Sequence, residues 1–349
     1  MIIFLIIIGL SLLIGNLADR YNNKFLLFLS IFLMVCFSGL RNVNVGIDTL
    51  SYYNDFYAIE HGGYVFSKDI FFLTTSKILM NIFHSPYAVI FIYSLIINIL
   101  INIRLWDYKE CCSFSIMQLM YVCLFYFLSI NIMRQFIAVS IVFFATRFLY
   151  KRRYKLYIVF NLLAAAFHLT AILGVLILFV FLIIDAKKSR KYQIRLIILT
   201  IPIFLFLLYV GFTYFSRYSN YFDKTTIDIG YMLFYQIICL LFINVFCRNK
   251  NTDLYSLSVS GTYFRIDKYV MYIFIMSLIL LSFGSFFRYV ERIGLYFQMF
   301  EMPYWGQAIN CVYNRRIVRF LAFVFIMYYF VTMLLYDGQG IFPYSFFWQ

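Results

Sequence analysis

Charge is what this sequence has least of. Lys, Arg, Asp and Glu together make up 13% of its 349 residues, against roughly 25% in a soluble domain, so a water-facing surface has half the charge it needs. Proline (4) and glycine (15) are also few, which excludes collagen-like and low-complexity disordered chains. Histidine is rarer still. His61, His84 and His168 show no ligand spacing, and no Asp-x-Asp or other carboxylate cluster stands ready for a divalent cation, so no metal and no cofactor is expected. The seven cysteines (Cys36, Cys111, Cys112, Cys123, Cys239, Cys247 and Cys311) are odd in number and include an adjacent rather than a spaced pair. They read as packing residues or inert thiols, not as a disulfide framework.

What is abundant is apolar surface. Apolar residues make up 64% of the chain and aromatic residues 23%. The runs between charged clusters are long enough for membrane-crossing helices and too long for porin strands. The expected fold is therefore all-α: a polytopic integral membrane protein of about twelve transmembrane helices. No solenoid repeat, linker or low-complexity stretch divides it, so residues 1–349 read as a single transmembrane domain. A net charge of +14 would suggest nucleic acid in a soluble protein. Here the basic residues belong in cytoplasmic loops, no basic–aromatic soluble module is present, and nucleic acid is excluded as a partner.

The expected crossings are Met1–Ala18, which lacks a basic leader and a cleavage site, Phe25–Leu40, Pro86–Ile103, Ser115–Ile130, Ile132–Tyr150, Leu156–Phe167, Leu169–Ile184, Leu196–Tyr214, Tyr231–Cys247, Tyr269–Phe287, Tyr289–Ile309 and Ile317–Tyr336. The clusters Lys151-Arg152-Arg153 with Lys155, and Lys187, Lys188, Arg190, Lys191 with Arg195, fix the orientation, because basic loops stay in the cytoplasm. Propagated along the chain, this leaves eight of the 29 Lys and Arg outside: Arg41, Lys68, Lys77, Arg134, Arg217, Lys224, Arg288 and Arg292. It also requires Phe66–Phe83 to be interfacial or re-entrant, within a periplasmic stretch at about residues 41–84, and it puts both termini outside.

Ionisable groups inside or at the edge of a membrane are costly and mark a function or a wet cavity by default. Four sets stand out, all at the outer end of their helices. The first runs from Gly39-Leu40-Arg41 through Val45-Gly46-Ile47-Asp48-Thr49 to Tyr52; the plain alternative is a solvated loop with an N-cap. The second is Asn131-Ile132-Met133-Arg134-Gln135, where Asn131 and Gln135 share a helix face; an ordinary turn with a snorkelling Arg is the alternative. The third is His168, where two short apolar half-runs meet; such a break is tolerated only beside protein or a wet cavity, and a hydrogen-bonded structural His is the alternative. The fourth is Arg288, Glu291, Arg292 and Tyr296, with Arg288, Arg292 and Tyr296 at i, i+4, i+8 and Glu301 continuing the polar side deeper. A snorkelled Arg–Glu pair is its alternative. Three segments thus offer guanidinium groups to one face. Arginine forks suit phosphate oxygens and keep their charge at any pH, so an anionic headgroup at the outer leaflet is the expected ligand. Aromatic rings add surfaces on which sugars stack.

In these motifs the chain resembles the EpsG/Wzy-type polysaccharide polymerases of bacterial inner membranes. The resemblance rests on Gly39-Leu40-Arg41, Val45-Gly46-Ile47-Asp48-Thr49 and Tyr52, on Asn131 with Arg134-Gln135 and Ala138, on His168 with Ala171, on the Arg288/Arg292/Tyr296 stripe and on Pro343-Tyr344-Ser345-Phe346-Phe347-Trp348. Thr170 stands where that family often has Ser. The resemblance implies a fold similar to the metal-independent membrane glycosyltransferases (GT-C) and a multi-pass inner-membrane protein with a periplasmic active face. It implies joining of undecaprenyl-diphosphate-linked repeat units into O-antigen or exopolysaccharide, with a chain-length regulator as a further partner beside the lipid bilayer. On that reading Arg41, Arg134, Arg288 and Arg292 contact the diphosphate leaving group. Asp48 and His168 are the candidate bases, and Thr49, Tyr52, Asn131, Gln135, Glu291 and Tyr296 complete the substrate-binding set. Three rivals remain. A flippase or transporter predicts inverted repeats and polar groups toward the midplane; an O-antigen ligase predicts one large periplasmic loop; an envelope scaffold needs no clustered arginines.

Overall fold

A computed structural model describes residues 2–63, 65, 69–185, 257–259, 262–264, 267–284, 288–311, 320, 323–324, 327–328, 330–331 and 339–349. The expected crossings Leu196–Tyr214 and Tyr231–Cys247, and most of Ile317–Tyr336, lie outside the described residues. What is described is mostly helical. In chain order it comprises α1 (Ile2–Tyr21), α2 (Lys24–Gly39), α3 (Thr49–Glu60), α4 (Ile70–Phe83), α5 (Pro86–Asp107), α6 (Phe114–Tyr121), a π-helical turn (Val122–Tyr126), α7 (Phe127–Asn131), α8 (Met133–Tyr150), α9 (Tyr154–Phe167), a 3₁₀ segment (Leu169–Gly174) and α10 (Val175–Asp185). An antiparallel hairpin of β1 (Leu257–Val259) and β2 (Thr262–Phe264) follows, then α11 (Lys268–Gly284), α12 (Arg288–Gln298) and α13 (Glu301–Cys311). Pro86–Asp107, Phe114–Asn131 and Met133–Tyr150 are long and apolar enough to cross a membrane. By contrast α4 has 14 residues, about 21 Å of helix, less than a ~30 Å hydrocarbon core.

The chain folds as two compact units, Met1–Phe144 with Leu163–Leu169 and Phe320–Gln349, and Ala145–Leu162 with Thr170–Arg319. In the first, α1 and α2 form a hairpin. Asn23 caps α2 by accepting from Phe25 N (2.8 Å) and Leu26 N (3.3 Å). Ser11 and Ser30 exchange hydroxyl-to-carbonyl bonds of 2.9 and 2.8 Å across the pair. Polar side chains continue through the bundle. Gln118 Nε2 donates to Ser30 Oγ (2.8 Å) and Asn102 Oδ1 (3.2 Å), Asn102 Nδ2 to Asn98 O (2.9 Å), and Asn98 Nδ2 to Ser38 Oγ (3.3 Å). In an α-helix Tyr121 and Tyr126 would stand about 140° apart. The π turn between them brings both to the same side, where Tyr121 donates to Asn98 Oδ1 (3.2 Å) and Tyr126 to Met34 O (2.5 Å). At one end of this unit Asp19 accepts from Ser113 Oγ (2.9 Å) and Ser115 Oγ (3.2 Å) and Lys109 donates to Asn22, which groups the basic residues Arg20, Lys24 and Lys109.

In the second unit, Asn161 Nδ2 and Tyr157 OH donate to the carbonyls of Ala171 (2.9 Å) and Gly174 (2.6 Å), holding the 3₁₀ segment. Asp185 accepts from Tyr154 OH (3.0 Å) and from Tyr269 OH, and Asp267 from Tyr150 OH (2.5 Å). The stretch Lys151–Arg153, the foot of α10 and the head of α11 therefore share one end, the grouping that the basic-residue orientation requires.

In the midst of the first bundle the amide oxygen of Gln118 lies against Gly15, where a Cβ would stand 1.9 Å from it. Gln118→Leu and Gly15→Ala are both expected to lower stability by about 1 kcal/mol, the usual worth of an interhelical polar contact in a membrane bundle. Thermal melting of the detergent-solubilised protein checks this.

Candidate functional site

The segment leaving α2 is built around a buried cation. Arg41 is 0% exposed. Its Nε donates to Thr49 Oγ1 (3.0 Å), Nη2 to the carbonyl of Ile130 (3.1 Å) and Nη1 to the carbonyl of Ser38. Burial pulls its pKa down to about 10, so it stays charged at neutral pH. Thr49 in turn donates to Val45 O (2.6 Å). One side chain thereby ties the end of α2, the end of α7 and the start of α3. The C-terminal segment lies alongside: Asn42 N donates to Ser345 O (3.0 Å), Phe347 N to Leu40 O (2.9 Å) and Gly46 N to Gly340 O (2.6 Å). Asn131 Nδ2 donates to both the backbone O (2.9 Å) and Oε1 (2.6 Å) of Gln339.

Asp48 stands at the head of α3, but its carboxylate makes no cap bond. The side chain is half-exposed, and its carboxylate has no hydrogen-bond partner among the described residues. Gln135 is buried.

The second constellation uses Tyr52 of α3, Arg134 of α8, His168 and Asp69. The chain breaks at His168, between α9 and the 3₁₀ segment, where the two short half-runs predict a break. Asp69 immediately precedes α4 and makes no side-chain cap bond there. Its Oδ2 instead sits 3.3 Å from His168 Nδ1 and 3.6 Å from Arg134 Nη1. Phe71, two residues on, packs edge-to-face on Phe167 at 4.9 Å, which holds the head of α4 beside His168. The Arg134 guanidinium lies 5.9 Å from the Tyr52 ring centroid and 5.6 Å from that of Phe72, within cation–π range. Its backbone N–H points at the Tyr52 hydroxyl at 3.5 Å. Exposure falls from Arg134 (36%) through His168 (22%) to Asp69 (13%). Asp55 adds a second carboxyl that acts on Arg134; burial raises its pKa and Arg134 opposes that rise. Asp69 is the residue that sequence reasoning missed. Its signal was an acid directly before an apolar helical run, in a region otherwise marked by cations.

In the second unit α12 carries Arg288, Glu291, Arg292 and Tyr296 on one helix. Arg292 is exposed, whereas Tyr296 is buried with its hydroxyl 2.9 Å from Thr170 Oγ1. The expected single crossing Tyr289–Ile309 is two helices. Pro303 has no N–H for the Met299 carbonyl and its ring would clash with it, so the helix breaks at Met299–Phe300 and restarts with Pro303 in the first turn of α13. Glu301 consequently opens a new helix, fully buried, instead of extending the polar stripe of α12.

Gly46 has φ +91°, and a Cβ there would stand 2.6 Å from Asn131 Oδ1 and 2.9 Å from Thr49 Oγ1. Gly46→Ala therefore meets both a left-handed backbone penalty and a clash with Asn131 and with Thr49, the hydroxyl partner of Arg41. A lower melting temperature is expected together with protease sensitivity between α2 and α3. Gly62→Ala serves as the control with backbone strain alone, since Gly62 also has positive φ but open space around it.

Comparison with curated proteins and with solved structures gives no match. A family model does match, over residues 24–346. The match begins at the first residue of α2 and takes in Arg41, Asn131, Arg134, His168, α12 and, in the C-terminal segment, Gln339, Gly340 and Ser345. The family points to membrane polysaccharide polymerisation, and the chain belongs to the EpsG family.

Proposed function

We propose that this protein is a glycosyltransferase that lengthens a polysaccharide by joining undecaprenyl-diphosphate-linked oligosaccharide units, without a metal ion, at the periplasmic face of the inner membrane. The observation that carries this reading is Arg134. A partly exposed guanidinium stands at the head of a membrane-length helix, laid over two aromatic rings and beside an imidazole. That grouping combines a fork for phosphate oxygens, buried rings that hold the fork in place and a proton acceptor.

In the proposed reaction a hydroxyl of the incoming unit attacks the anomeric carbon of the growing chain. The bond from that carbon to the diphosphate oxygen breaks, and the lipid diphosphate leaves with the electron pair. Arg134 stabilises the charge that develops on it. Arg41 takes a different part: it donates to Thr49, Ser38 and Ile130, so it positions the loop that carries Asp48 and the start of α3, which carries Tyr52.

The arginines supply the test. Arg134→Lys should fail nearly as badly as Arg134→Ala, because Lys lacks the planar fork. Loss of transition-state charge stabilisation costs ~10²–10³ in rate, about 3–4 kcal/mol. The measurement is polymer chain length in cells at matched membrane levels, and rate in reconstituted protein with chelator present. Arg41→Ala should instead deplete the protein from the membrane. Full activity of Arg134→Lys, or strict dependence on a divalent cation, would overturn the mechanism.

Sidedness has its own check. Fusions at Gly62 should give a reporter that works only in the periplasm, and fusions at Arg152 one that works only in the cytoplasm.

A further inference from the structure

We propose that Asp69 is a positioning residue that selects His168, and not Asp48, as the general base of the reaction proposed above, on which this inference rests. Asp48 is a half-exposed residue whose carboxylate has no hydrogen-bond partner among the described residues. An imidazole is the side chain that most often serves as a general base.

His168 also has what Asp48 lacks, a group that fixes its orientation. Nδ1 faces Asp69 Oδ2 at 3.3 Å, so the carboxylate accepts a hydrogen bond from Nδ1–H, which leaves the lone pair on Nε2. Nε2 makes no hydrogen bond to the described residues, and the ring is 22% exposed, so a substrate hydroxyl can reach it. The same Oδ2 lies 3.6 Å from Arg134 Nη1. The charged groups that face the imidazole are Asp69 at the head of α4 and, across it, Arg134 of α8, on which Asp55 of α3 also acts.

The proton balance is simple. As the acceptor oxygen bonds to the anomeric carbon, its proton passes to His168 Nε2. The ring becomes an imidazolium, its charge countered by Asp69 next to Nδ1, while the diphosphate departs as an anion. The proton then leaves Nε2 to water or to the released diphosphate, and the neutral ring is restored. The carboxylate of Asp69 itself is not protonated in the cycle. Its part is to hold one tautomer and to stabilise the cation that forms.

Three histidines in the whole chain make the tautomer measurable. In ¹⁵N-histidine-labelled protein, assigned with His61→Asn and His84→Asn, neutral His168 should carry its proton on Nδ1. Asp69→Asn should abolish that preference and slow unit joining by ~10²–10⁴-fold with KM little changed. The double variant Asp69→Asn/His168→Asn should be no slower than His168→Asn alone, as expected when one residue acts through another. A wild-type His168 protonated on Nε2, a tautomer unmoved in Asp69→Asn, or rate losses that multiply in the double variant would each overturn the inference. The tautomer is read without substrate. A wild-type protein that holds the Nδ1–H form but joins no units would therefore refute the proposed function while leaving the Asp69–His168 pair established.

Discussion

The outer end of the first unit depends on one buried guanidinium. Arg41 carries a charge that would be prohibitively costly in an apolar interior without partners. The chain answers that cost by turning two helix-terminal carbonyls, Ser38 and Ile130, and one hydroxyl, Thr49, toward it. Those carbonyls belong to the last turns of α2 and α7, where helices leave their C=O groups without an intrahelical donor and where the macrodipole favours a cation. The interaction solves two problems together. It satisfies helix ends buried away from water, and it fixes where α3 begins. Everything α3 carries toward Arg134, Tyr52 above all, inherits its position from Arg41.

Glycine completes that arrangement. The turn from Arg41 to Thr49 is short, and Gly46 lets it pass against Asn131 with φ +91°. Asn131 meanwhile spends its amide on Gln339, so the C-terminal segment is held by the same few residues. Asn131 Oδ1 is buried with no hydrogen-bond partner among the described residues, because it faces the Cα of Gly46 and not a donor. A polar group is left underused there for the sake of close packing.

Much of this could be read from the chain. The long apolar runs gave the membrane-length helices, and the polar breaks at Arg41, Asn131–Gln135 and His168 fell at helix ends, as intramembrane polar residues should. Three features could not be read so easily. Asp69 was hidden because its partners, Arg134 and His168, lie 65 and 99 residues away in sequence, and no local spacing encodes such a contact. The π turn was hidden because an extra residue in a helix leaves no mark in composition; it is justified only by Asn98 and the Met34 carbonyl waiting for Tyr121 and Tyr126. The break before α13 was legible in Pro303, but an apolar run of crossing length outweighed it. Arg288, Arg292 and Tyr296 do share one helix, yet Arg292 is exposed while Tyr296 is buried against Thr170, a difference in depth that periodicity alone does not give.

The polar ladder inside the first bundle bears on the rival reading as a transporter, which places polar groups toward the midplane. Ser11, Ser30, Asn98, Asn102 and Gln118 do lie deep in the bundle and are buried. They are neutral, however, and their donors are spent on one another or on helix carbonyls. That is how polar side chains fasten helices together where water is scarce, and a substrate path would need groups left accessible to the substrate. Three ionisable groups of the same unit behave otherwise: Arg134, His168 and Asp69 lie at the helix ends with graded exposure from 36% to 13%. Arg41 and Arg134 thus mark two uses of one residue type. The first is fully enclosed, bonded to backbone and indispensable to shape. The second is partly open, set 3.6 Å from a carboxylate it shares with an imidazole, and laid over rings. A partly exposed fork can in general exchange a carboxylate oxygen for a phosphate oxygen, since both anions suit a guanidinium. The enclosed arginine cannot make that exchange without unfastening three helices.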